Sequence, residues 1–349
     1  VVLDRDRLVE VASFGWSVLA LVLPLGLLVL LLSMTGSLAI EQTVIEALIK
    51  IVAVVGLYIF IGNSGIMSFG HVAFMCIGAY AAAWQTCCPM LKPIVMSGLP
   101  EALLQNTVPD FPASVVAGLL AAAVALVAGA VILRLNGIAA SIASFSVLFI
   151  VNVIYSNADR YTQGVGSIVG MPVYVTPTVA YAWACAAIVL ACLYHRSRIG
   201  VALRACREDD IAARAAGINV YFQRLIAFVL SAFLLGVSGA LYGSLLGTIS
   251  VDTFFLDMTF MLVAMLVVGG VRSVAGAVVG VTAVSTVVEI FRQLQNGVDI
   301  GSMHVAVPAG LQGIALALFM LIVLIFRREG ITGGGEAELP ASIRRIIQG

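Results

Sequence analysis

His195–Arg224, HRSRIGVALRACREDDIAARAAGINVYFQR, is the one long polar stretch set between apolar segments that are each long enough to cross a bilayer. Six of the 18 Lys and Arg residues fall in it, beside the consecutive acids Glu208, Asp209 and Asp210. Within it, EDDIAARAAG reads as a short helix. The acids occupy the first turn, where the positive end of the helix dipole favours them. Ala212, Ala213, Ala215 and Ala216 supply helix propensity, and Gly217 falls where a C-terminal cap belongs. Two readings of this helix stay open: an element that docks a partner, or an ordinary solvated loop.

Working outward, composition sets the class. Of 349 residues, 62% are hydrophobic and 10% charged, with a mean hydropathy of +1.12. A soluble domain carries roughly 25% charged residues. The expectation is an all-α polytopic membrane protein, embedded in a lipid bilayer. About ten apolar spans of membrane length fit at 14–34, 43–61, 66–84, 113–133, 138–155, 177–194, 225–247, 259–270, 274–291 and 309–326. The eighth is short, and Gly269-Gly270 after it leaves a broken or re-entrant pair open. The domain reading is therefore an N-terminal segment at 1–13, a transmembrane domain at 14–328 and a tail at 329–349. That tail, EGITGGGEAELPASIRRIIQG, reads as a Gly-rich linker with a basic amphipathic end, disordered by default.

Charge sets the orientation. With the N-terminus inside, fourteen Lys and Arg residues lie in cytoplasmic segments, the 195–224 loop included, against Lys92, Arg160 and Arg292 outside. Both termini are thus expected in the cytoplasm. A net charge of zero with no basic patch away from the membrane flanks gives no reason to expect nucleic acid as a partner. The six cysteines show no metal-ligand spacing, so no metal site is expected.

A second stretch, GNSGIMSFGHVAFMCIGAYAAA at 62–83, opens with a Gly-Asn-Ser-Gly break between two spans. Broken helices inside a bilayer are tolerated where protein or a water-filled cavity satisfies the backbone, and transporter sites use them. One reading puts Gly65, Ser68, Gly70, His71, Phe74 and Tyr80 along a translocation path. The other makes this a tight turn with small residues for close packing. Glu46 and Lys50, four apart, and Glu289 and Arg292, three apart, read equally as functional ionisable groups or as self-neutralising pairs. Small residues at four-residue spacing, Gly239, Gly243 and Gly247, and Gly276 and Gly280, read as packing faces. There is no Walker A loop, zincin motif or nucleophile elbow, so catalysis by this chain is not expected.

These two stretches carry a resemblance. The chain resembles a permease subunit of the branched-chain amino acid ABC importers, in their LivM-like branch. The first motif stands here as Gly62, Gly65, Ser68, Gly70, His71, Phe74, Gly78, Ala79 and Tyr80. The second stands as Ser197, Gly200, Ala202, Leu203, Arg204, Ala205, Arg207, Glu208, Ala212, Ala213, Gly217 and Ile218. The resemblance implies an ABC importer permease fold in a bacterial inner membrane. It implies a coupling helix in the 195–224 loop that docks on a cytoplasmic ATPase, involving Arg204, Arg207, Glu208, Asp209, Asp210, Ala212, Ala213, Arg214, Ala216, Gly217 and Ile218. The implied partners are a second homologous permease, two ATPase subunits and a periplasmic solute-binding protein. ATP and magnesium would be used by the ATPase, and no cofactor would be bound by this chain. TQGVGSIVG at 162–170 and IAASIASFS at 138–146 depart from the family pattern, so urea, short amides, other amino acids and aromatic or other small organic acids stay open as substrates. A stand-alone secondary transporter is the reading from another class. It expects an isolated ionisable group at the midplane, which Glu46–Lys50 serves poorly.

Overall fold

A computed structural model of the chain describes residues 2–33, 37–135, 137–295, 298–300, 303–305, 311–327 and 329–335. The first half contains helices α1 (Val2–Ser33), α2 (Leu38–Ser64), α3 (Val72–Thr86), α4 (Lys92–Val95), α5 (Glu101–Gln105), α6 (Asp110–Ile132), α7 (Ile138–Ser156) and α8 (Asp159–Thr162). The second contains α9 (Pro177–Arg196), α10 (Arg198–Glu208), α11 (Asp210–Ala215), α12 (Val220–Leu246), α13 (Leu256–Gly269), α14 (Val274–Gln295) and α15 (Leu311–Phe326). Two small antiparallel pairs complete it: β1 (Ile168–Val169) with β2 (Thr248–Ile249), and β3 (Val298–Ile300) with β4 (Met303–Val305).

The protein is an all-α polytopic membrane protein, and each expected span contains a helix. Among the described residues eight helices are long and apolar enough to cross a membrane, while α3 and α15 are shorter. The expected span at 66–84 is cut back because residues 65–71 are irregular and α3 begins only at Val72. At about 1.5 Å per residue, the 15 residues of α3 fall short of a bilayer core of about 30 Å.

The chain divides into two compact units, Leu48–Val263 and Val1–Ala47 with Ala264–Gly349. In the first unit α3, α6 and α12 pack against one another. Bare backbone makes this possible. A Cβ at Gly78 would stand 2.1 Å from the Gly236 carbonyl, and one at Gly239 would stand 1.9 Å from that of Met75. Helices joined this closely gain dispersion contacts that larger side chains would prevent. Later residues of α2 close against the same core, with Ser238 Oγ donating to the Ile49 carbonyl at 3.1 Å. Of the glycines read as one packing face, Gly239 takes that role, whereas Gly247 ends α12 in the left-handed region at φ +68°.

The segments between spans in this unit are ordered. Lys92 is fully buried, and its ammonium donates to the carbonyls of Leu103 and Asn106 at 2.8 Å and of Gln85 at 3.2 Å. Burial pulls that group below the usual lysine range. Trp84 Nε1 donates to the Tyr161 carbonyl at 2.8 Å, and Thr162 Oγ1 donates to the Tyr155 carbonyl at 2.5 Å.

In the other unit, α13 and α14 meet through glycines: a Cβ at Gly269 would stand 1.9 Å from the Gly276 carbonyl, and one at Gly280 equally close to that of Met265. Glu289 and Arg292 form an ion pair at 2.7 Å, with Thr43 bonded to both. That is the self-neutralising reading of the pair. The tail departs from expectation. Ile331 N donates to the Val268 carbonyl at 2.9 Å and Thr332 N to that of Gly269 at 3.1 Å, so residues 329–335 satisfy the last carbonyls of α13. The physical reason is that a helix end inside a protein needs such partners. The basic end at 336–349 lies outside the described residues.

Candidate functional site: a capped loop strapped to a broken helix

The polar stretch folds as two helices where the sequence suggested one. Ser197 caps α10 by accepting from Gly200 N at 3.0 Å, and Gly200 lies so near the Tyr194 carbonyl that a Cβ would stand 2.1 Å from it. Asp209 then interrupts the helix with extended backbone, and its carboxylate accepts from Ile211 N and Ala212 N at 2.8 and 2.9 Å. Such a cap stabilises a helix start by about 1 kcal/mol. At the other end Gly217 has φ +81°. Ile218 N donates to the Ala213 carbonyl and Gly217 N to that of Arg214, both at 3.0 Å. This pairing closes a helix on a left-handed residue, with the apolar contact across it supplied here by Ile218 on the cluster of Cys206, Ala213 and Val220. Asn219 caps α12 in turn.

The capped α11 has two faces. Ala213 points inward and is 5% exposed, whereas Ile211 is 82% exposed and Ala212, Ala215 and Ala216 are exposed beside it. The inward Ala213 is thus part of the turn's own core. Ile211 was not singled out in the sequence. Its signal was an isoleucine in a turn otherwise made of Asp, Ala and Arg. Asp210 binds Arg214 at 2.8 Å and Arg224 at 3.3 Å, holding α11 to α12.

Arg204 and Arg207 do not share the outward face. Arg204 Nη1 donates to the His195 carbonyl at 2.7 Å and to Asn63 Oδ1 at 3.3 Å. Arg207 Nη1 donates to the Gly62 carbonyl at 2.6 Å, while its other nitrogens bind Glu208. Gly62 is among the last carbonyls of α2, which the helix cannot satisfy itself, and a cation there is favoured by the helix dipole. Tyr58 Oη and His195 Nδ1 add a contact at 2.6 Å. Gly65, at φ +73°, ends α2 against the Arg207 stem, where a Cβ would stand 2.7 Å from Cγ. The two stretches singled out in the sequence are therefore joined: α10 is strapped to the end of α2 where the helix breaks.

Beyond the break the side chains turn inward. Ser68 Oγ and His71 Nδ1 lie 2.6 Å apart, and both residues are 1% exposed. The His71 ring packs on Phe60, Phe74 and Phe228, with centroids 5.1, 5.9 and 4.8 Å away. Gly70 lies so close to α7 that a Cβ would stand 1.8 Å from the Ser144 carbonyl. Ser68, Gly70, His71 and Phe74 are thus buried within this chain. The reason is aromatic: three phenylalanines close over this polar pair.

Tyr80 differs. Its ring packs edge-on to Tyr155 at 5.0 Å, beside Trp84. Tyr80 Oη and Asn152 Nδ2 are buried without a hydrogen-bond partner among the described residues. Asn152 and Tyr155 are one turn apart on α7, and Asp252 lies within electrostatic reach of Tyr80. These two donor groups, one on α3 and one on α7, are left unused among the described residues.

Residues 39–326 match the profile of the family described as the permease component of branched-chain amino acid transport systems. The chain is 25% identical over 321 residues to the high-affinity branched-chain amino acid transport system permease protein LivM of Escherichia coli, covering 81% of this chain and 68% of that protein. Its identity to LivM of Salmonella typhimurium is 24% over 330 residues, with the same coverage. Over 144 residues it is 35% identical to the high-affinity branched-chain amino acid transport system permease protein BraD of Pseudomonas aeruginosa, covering 41% of this chain and 42% of BraD. No solved structure matches the chain.

Proposed function

The chain belongs to the branched-chain amino acid transport permease family, and from that premise we propose that it forms half of the translocation path of an ATP-driven importer for branched-chain or related amino acids. The observation that carries this reading is α11: a helix of six residues, capped at both ends, with an exposed isoleucine at its tip. Such a helix has no core reason to present Ile211 to water, and burying an isoleucine stabilises an interface by about 1.5–3 kcal/mol. The occupant is the cytoplasmic ATPase, which supplies the ATP and magnesium chemistry that this chain's sequence lacks. A second permease, a second ATPase subunit and a periplasmic binding protein complete the complex, in a bacterial inner membrane with both termini of this chain cytoplasmic.

Coupling then has a mechanical route. When the ATPase moves α11, the pair α10–α11 moves as a body because Ala213 of α11 is clustered with Cys206 of α10. Arg204 and Arg207 pass that displacement to the end of α2, and so to the break before α3. Substrate contacts fall in the α3–α7 seam, where Tyr80 Oη and Asn152 Nδ2 offer hydrogen bonds to a carboxylate. Ser68 and His71 keep the turn rigid.

The test is reconstitution of the chain with its ATPase, second permease and binding protein in proteoliposomes. Accumulation of labelled leucine, isoleucine or valine that requires both ATP and the binding protein is expected. Uptake by the chain alone, driven by an ion gradient and indifferent to ATP, would replace the importer by a secondary carrier.

A further inference from the structure

A cavity of about 400 Å³ opens where the end of α6 meets α11 and the start of α12. It falls within the usual size of small-ligand sites. Its lining includes Arg134, Arg214, Arg224, Tyr221 and Asn219, and no acidic residue. Of these, Arg224 is 8% exposed, while Arg134 and Arg214 are exposed. Asp210, behind the lining, binds Arg214 and Arg224, which leaves three guanidinium groups against one carboxylate. Asn219 starts the 27-residue α12 at this place, and the positive end of that helix adds to the field. Three planar cations and a helix start converging on one space are the chemistry of a phosphate.

The surroundings identify the source. Val127 and Val131, 72% and 70% exposed, form a stripe along α6 that leads to Arg134, and Phe222 is exposed beside Tyr221. Apolar residues exposed on a membrane-spanning helix face acyl chains or another membrane protein. We propose that the cavity holds the phosphate of an anionic phospholipid from the leaflet on the α10–α11 side, its acyl chains lying along Val127 and Val131. Basic pockets between spanning helices take such headgroups. The occupant would brace α11 against α6 and α12, so the docking helix would respond to lipid composition.

Native mass spectrometry of the full chain, purified and stripped of lipid, tests this with added phosphatidylglycerol or phosphatidylcholine. One phosphatidylglycerol should remain bound under conditions that remove phosphatidylcholine. Arg224→Gln and Arg134→Gln should each lower its retention about fivefold, the weight of one arginine near a lipid phosphate. Arg160→Gln, in a different loop, should not. Among the described residues Arg134 donates only to the Ala130 carbonyl of its own helix, so its variant reports even if the loss of Arg224 disturbs folding. Equal retention of the two lipids, or unchanged retention in Arg134→Gln, overturns the proposal. Displacement by millimolar inorganic phosphate makes this a site for free anions instead. Displacement by the ATPase subunits assigns the cavity to the protein partner. Either result rejects the lipid.

Discussion

α10 and α11 are neighbours in one loop, yet they are wired in opposite ways. The two arginines singled out on α10 reach inward: Arg204 to His195 and Asn63, Arg207 to Gly62. α11 is tied to α12 by Asp210, and its outer face leaves Ile211 82% exposed among the described residues. A docking device needs both parts. A tip without struts would bend under load, and struts without a tip would have nothing to transmit. The break after α2 belongs with the struts: its polar pair, Ser68 and His71, is shut beneath aromatic rings.

Substitutions on the two faces of α11 give the largest separation. Ala213→Asp places a carboxylate in the cluster of Cys206 and Val220, and should destabilise the folded chain by about 3 kcal/mol or more. Thermal unfolding in detergent will register this as a clear fall in Tm, whereas Ala212→Asp, one residue away on the exposed face, should leave Tm in place. Ile211→Asp should also spare Tm but cost the complex about 2–3 kcal/mol, read as ATPase lost from co-purification. If ATPase recovery is unaffected, the tip is not the contact.

Cutting a strut should behave differently from removing the tip. Arg207→Ala removes the charged donor to the Gly62 carbonyl, worth about 2 kcal/mol. ATPase should still co-purify and hydrolyse ATP while uptake falls about tenfold, because motion no longer reaches α2. Loss of assembly together with uptake would mean that Arg207 supports docking and not transmission. The smallest effect belongs to Gly217→Ala. Among the described residues no atom beyond the chain neighbours lies within 4 Å of the added methyl group, so only the left-handed backbone is penalised, by about 1 kcal/mol. A modest drop in Tm with intact coupling is the expected result; a complete loss of transport would show that the cap also touches the partner.

Much of this architecture could be read from the sequence, because membrane spans and helix caps are local. Runs of apolar residues located each helix of membrane length among the described residues, and the charge, alanine and glycine pattern of 208–217 located α11 and its C-terminal cap. Asp209 was read as a first-turn acid, but its role is to divide two helices, a choice that depends on the backbone it adopts. The direction of Arg204 and Arg207 was not legible, since their acceptors lie more than 130 residues away or in a different helix. Composition alone also gave no sign that Lys92 would be fully enclosed by three carbonyls, or that the Gly-rich residues 329–335 would cap α13. The break at 62–71 was visible. Whether its hydroxyl and imidazole face a path or a core depended on where Phe60 and Phe228 arrive, and these come from other helices.

The most direct measurement places a photo-crosslinking amino acid, benzoylphenylalanine, at position 211 of the chain in native membranes. A crosslink from 211 to the ATPase subunit, absent when the same group stands at 169 on the β1 strand, is the result expected here. It would set the docking face and the cytoplasmic side of the loop together. A crosslink from 211 to the periplasmic binding protein, or no protein partner at all, would contradict the account.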